Sequence, residues 1–137
     1  MAFKLYKGKC KTEYFPVTPS TVLAADSLVE FTSGLIAAAD ADEGAADVRG
    51  VLVKAIAATD TDYASSRKVG VQVPVEKHVV WEADGTGTFV ATDIGTEFGI
   101  SDASTVDKAE TTADMFLVTE FISATKVRGY LKINGSY

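Results

Sequence analysis

Apolar and polar positions alternate over short stretches of this chain, and turn residues separate the stretches. Val69, Val71, Val73 and Val75 recur at strict period two, which predicts a half-buried strand. Pro74 falls inside that run, so the ladder either ends there or lies at an edge or bulge. Leu28 to Thr32 has the β-branched and aromatic content of a strand, while Ser20 offers the competing reading of a capped short helix through Ala25. Ser33 and Gly34 read as a turn into the apolar run Leu35 to Ala39. Further strands are predicted at Val48 to Thr59, Val79 to Trp81, Phe89 to Ala91, Met115 to Ile122 and Val127 to Ile133. Asp40 to Asp47, Asp60 to Arg67 and Asp93 to Lys108 read as loops, and Asp84 to Gly87 as a turn. No stretch carries a long amphipathic helical pattern. Strand signals about 8–12 residues apart predict an all-β or nearly all-β fold, a small β-barrel or β-sandwich of about 7–9 short strands.

One internal echo stands out. Val48-Arg49-Gly50-Val51-Leu52 matches Val127-Arg128-Gly129-Tyr130-Leu131 at four of five positions. A glycine inside a strand pattern marks a bulge or a close backbone approach, so the two strands are candidates for related places in a barrel.

The start of the chain has a different character. Phe3-Lys4-Leu5 and Lys7 alternate apolar and basic, Tyr6 lies between them, Lys9 and Lys11 follow, and Pro16 and Pro19 then disfavour regular structure. Residues 1–19 are therefore expected to form a basic, extended arm, and residues 20–137 a single β-rich domain. The net charge is −6, yet residues 1–11 carry +4, which leaves −10 for residues 12–137. An acidic body of that charge repels a phosphate backbone, which argues against nucleic acid as a partner. The arm residues Phe3, Lys4, Leu5, Tyr6, Lys7, Lys9 and Lys11 are the candidate partner contacts, adding as a strand to a sheet edge of a sibling copy or an acidic partner. On that reading the domain folds without them.

Reactive chemistry finds little to work with. A single cysteine and a single histidine exclude an internal disulfide and most hydrolase or metal constellations. His78 has no G-x-S-x-G partner motif and reads as an ordinary surface or half-buried residue. Cys10 lies among lysines, which are expected to lower its pKa somewhat, but no adjacent base activates it. Asp40 and Asp42 begin like a calcium loop but are followed by Gly44 and Val51 where ligands are needed, and Asp60 and Asp62 by Ala64 and Val71. Asp84 to Thr88 lacks the Gly-Lys-Ser/Thr end of a phosphate loop. Trp81 reads as a core residue rather than part of a stacking platform. No catalytic, cofactor or metal residues are assigned. No apolar run approaches a membrane span and the start lacks a signal-peptide core, so a soluble, intracellularly made domain is expected.

The order of these segments resembles a known family. Val48 to Leu52 leads into Thr59-Asp60-Thr61-Asp62-Tyr63, then Val71-Gln72-Val73-Pro74-Val75-Glu76 and Val80-Trp81-Glu82-Ala83. Asp93-Ile94-Gly95-Thr96 precedes Val106-Asp107, and a last strand runs from Lys126 to Ile133. Over roughly residues 20–133, a domain-sized span, this texture resembles the small head decoration (cement or auxiliary capsid) proteins of tailed bacteriophages. The resemblance implies a non-enzymatic virion protein without cofactor, made in the host cytoplasm. Such a protein binds the capsid exterior and bridges major capsid subunits. Its implied partners are the major capsid protein and sibling copies, a trimer among the assemblies. A phage neck or tail structural protein, or a β-barrel module for a small ligand or glycan, shares the same texture.

Overall fold

The computed structural model describes residues 2–40 and 48–137. The predicted loop from Asp40 to Asp47 therefore lies outside the described residues except for Asp40. Eleven strands are described: β1 (Phe3–Lys7), β2 (Cys10–Pro16), β3 (Leu28–Thr32), β4 (Leu35–Ala38), β5 (Val48–Leu52), β6 (Lys68–Pro74), β7 (Val80–Thr86), β8 (Glu97–Asp102), β9 (Thr105–Asp107), β10 (Phe116–Ser123) and β11 (Lys126–Leu131). The fold is nearly all β, as the sequence pattern predicts.

The strands form two sheets. The first runs β1-β7-β11-β10-β8-β9, and β9 returns to pair with β7 in parallel, which closes a five-strand barrel. β1 and β9 share one edge of β7, β1 at Val80 to Ala83 and β9 at Asp84 to Thr86. The second sheet runs β2-β6-β5-β3-β4, and a bridge between Val17 and Ile36 joins its two ends. Each half has its own core. Phe3, Trp81, Phe116, Val127 and Leu131 fill the first, and Val29, Ile36, Leu52, Val69 and Val71 the second. The apolar neighbours Leu28-Val29 and Val51-Leu52 contribute one residue to each core, because β3 and β5 are buried on both faces.

The expected free arm is instead part of the body. β1 pairs with β7 and β2 with β6, and the chain passes from one sheet to the other at Gly8, whose φ of +113° few other residues adopt. β6 and β7 make the same passage alongside, between Val75 and Val79, and the Lys9 amide donates to Glu76 Oε1 at 2.9 Å. A bent two-stranded ribbon thus belongs to both sheets. The reason lies in the apolar members of the alternation. Phe3 is fully buried, its ring 6.3 Å from that of Phe116. Lys4, Lys7 and Lys11 occupy exposed strand positions and Lys9 the connection between β1 and β2, rather than a tail.

Other expectations are corrected too. The strand predicted from Val48 to Thr59 ends at Leu52, and Asp60 accepts the Ala57 amide at 3.0 Å to turn the chain back. No helix follows Ser20, which has a left-handed φ of 54°, and Leu28 to Thr32 is a strand. Asp84 to Thr86 continues β7 rather than turning. Gly85 is there because the Phe89 ring lies against it, where a Cβ would clash. Phe89 to Ala91 is no strand: Phe89 plugs the first core edge-on to Phe98, and Asp93 accepts the Val90 amide in a short 3-10 turn. The stretch from Asp93 to Lys108 contains β8 and β9. Gly99 there accommodates the overlying Glu110 side chain inside a strand. The run at Val69 keeps its alternation through Val73 and ends at Pro74, with Val75 exposed.

Candidate functional site

The strands position the candidate contact residues individually. Phe3 belongs to the core, Leu5 is half-buried, and Lys4, Tyr6, Lys7, Lys9 and Lys11 are exposed. The set therefore divides into Phe3 and Leu5, which face inward, and an outward row of cations that Tyr6 shares. Lys11 pairs with Glu13 at 2.7 Å. Among the described residues no ion pair holds Lys4, Lys7 or Lys9. Tyr6 is already occupied, since the Arg128 guanidinium stacks 3.7 Å from its ring centre. Glu82 and Glu120 fix that guanidinium at 3.0 and 2.9 Å.

The echoed strands β5 and β11 do hold related places. Each lies inside its sheet and each has its glycine beside a register shift. Each glycine also faces a neighbouring backbone carbonyl, Gly50 that of Gln72 and Gly129 that of Leu117. The preceding arginines mirror one another. Arg49 lies 5.1 Å from the Phe15 ring centre and 5.4 Å from that of Phe31, as Arg128 lies over Tyr6. The repeated Arg-Gly pair thus combines an outward guanidinium on an aromatic ring with an inward close approach.

Cys10 contradicts its expected chemistry. Burial, then the nearby Glu76 carboxylate, push its thiol up to about 11, which outweighs the surrounding lysines. His78 is exposed with a left-handed φ of 60°, and its ring lies 4.9 Å from Tyr130. Trp81 is fully buried. Tyr137 donates its hydroxyl to Glu97 Oε2 at 2.6 Å, and Lys132 approaches the same carboxylate at 3.5 Å. Residues 41–47 of the first acidic cluster lie outside the described residues. The second cluster is claimed by Arg67, which pairs with both Asp60 and Asp62.

Concavities among the described residues include the following pair. A small one, of about 140 Å³, lies where the halves meet, between Val73, Glu76, Val79, Leu131 and Tyr137. A groove of about 490 Å³ lies beside β2 and β6, lined by Thr12, Tyr14, Val53, Asp60, Arg67 and Gly70. Sequence reasoning missed this groove. Its only signal was an acidic loop bounded by an arginine and a glycine within the valine run. No protein-family model matches the chain, and no curated protein matches it in sequence.

Proposed function

We propose that this chain is a non-enzymatic virion structural protein that binds the outer surface of an assembled capsid and stabilises contacts between major capsid subunits. The observation that carries this reading is the row of exposed lysines, Lys4 and Lys7 on β1 and Lys9 in the connection to β2, held by paired strands on an otherwise acidic body. Rigid presentation limits the ordering cost on binding an acidic surface. Each exposed pair contributes only about 0–1 kcal/mol and weakens with salt. A lattice of repeated sites multiplies such weak contacts through avidity. The segment order that resembles the head decoration proteins agrees with this.

The test starts from the genes flanking the coding sequence, where a major capsid gene is expected and a tail-tube gene points to a neck or tail role. Purified chain is then added to expanded capsids of the encoding phage across a salt series. Saturable binding to capsids that falls with salt, and is weaker for the Lys4→Gln, Lys7→Gln, Lys9→Gln triple variant, supports the proposal. Failure to bind capsids, or binding to tails alone, overturns it.

A further inference from the structure

We propose that the groove between β2, β6 and residues 53–67 is a saccharide-binding site, independent of the attachment surface. Its volume, about 490 Å³, falls within the span of small-molecule sites. Its floor is apolar and uncovered: Tyr14 is 65% exposed and Val53 49% exposed. Gly70 keeps that floor open. A Cβ there would sit 3.0 Å from the Thr12 methyl, 3.5 Å from the Tyr14 ring and 3.7 Å from Val53. Any larger residue would fill the space between ring and valine.

The facing wall is polar and rigid. Asp60 Oδ2 accepts the Ala57 amide at 3.0 Å and Arg67 Nη2 at 2.9 Å, and Arg67 Nη1 donates to Asp62 Oδ1. Among the described residues these bonds engage one oxygen of each carboxylate, so Asp60 Oδ1 and Asp62 Oδ2 remain to accept from a ligand. A sugar ring presents an apolar C–H face and a rim of hydroxyls. The exposed tyrosine ring suits the first, and the carboxylate oxygens of the facing wall suit the second. Charge narrows the ligand class further. Lys54, Arg67 and Lys68 against Asp60 and Asp62 leave the lining one net positive charge, which disfavours a metal ion, and with Arg67 already paired to both carboxylates the phosphate arm of the titration separates an anion from a neutral polyhydroxyl ligand. Because Arg67 already holds both carboxylates, binding orders little further.

The experiment follows backbone amide NMR shifts of the full chain during titration with maltotriose, cellotriose, triacetylchitotriose and, separately, inorganic phosphate. Each sugar is taken to about 10 mM, enough to fill a millimolar site. The expected result is saturable shifts at Thr12, Val53, Lys68 and Gly70 with at least one sugar and none there with phosphate. Tyr14→Ala, a change at an exposed position, should weaken that sugar's binding up to about tenfold, the loss of one aromatic contact. Asp62→Asn should weaken it while leaving the thermal midpoint near that of the parent. The proposal is overturned if no sugar shifts these amides, if phosphate reproduces the shifts, or if Tyr14→Ala binds as well as the parent.

Discussion

Gly129 faces the Leu117 carbonyl so closely that a Cβ would overlap backbone, which cannot swing aside as a side chain does. Gly129→Ala is therefore expected to destabilise the fold by about 1–3 kcal/mol, the usual range for overpacking, read as a lower urea midpoint. Cys10 makes a chemical prediction. With its thiol pushed up to about 11 by burial and Glu76, native protein at pH 8 should react with iodoacetamide far more slowly than unfolded protein. Equal rates would show that the site opens readily. Glu97 makes a pH prediction. The Tyr137 hydroxyl, and then Lys132, hold its carboxyl below the ordinary 4.5 against the opposing effect of burial. A depressed folded value stabilises the protein above the unfolded pKa, and that stability is lost as pH falls through the folded value. The stability difference between the parent and Tyr137→Phe should accordingly be largest near neutrality and shrink on acidification, as followed by urea midpoints across pH. A difference that persists unchanged at low pH would separate Tyr137 from the Glu97 charge.

Single strands show what the pattern of residues could and could not convey. β6 was legible because Val69, Val71 and Val73 all face one core while Gly70 and Gln72 face away. β8 and β9 were not, since Gly95 and Gly99 read as loop punctuation although Gly99 sits in a strand beneath Glu110. β1 and β2 were legible as extended chain but not as members of the sheets. Their partners lie far along the chain, and lysine alternation looks the same on a tail and on an outward strand face. The groove was hidden for a related reason: it joins β2 to a loop after β5 through β6, a juxtaposition only the topology creates. At this scale the decisive variant is Phe3→Ala. It should cost about 3–5 kcal/mol, as expected for emptying a buried aromatic site. Deleting residues 1–11 should abolish a native thermal transition rather than leave the midpoint unchanged. A truncated chain that unfolds at the parent's midpoint would show that β1 and the start of β2 are dispensable.

Across the whole molecule the bent ribbon joins two cores that also meet along β3 and β5. Unfolding should therefore be one transition, with Trp81 fluorescence, which reports the first core, and far-ultraviolet circular dichroism giving the same midpoint. Separate midpoints would show that the halves open independently. The same ribbon has a consequence during synthesis. Phe3 pairs with Ala83 and Cys10 with Pro74, so these early strands leave the ribosome long before the strands they join. At about 5–20 residues per second, β1 waits on the order of seconds for β7, extended and with aromatic residues uncovered. Such a segment invites misassociation, and charges placed between apolar residues suppress it. Lys4, Lys7, Lys9 and Lys11 stand in that gatekeeping arrangement. The cations that end on the surface of the folded protein thus also keep the nascent chain solvated until its partner strands arrive.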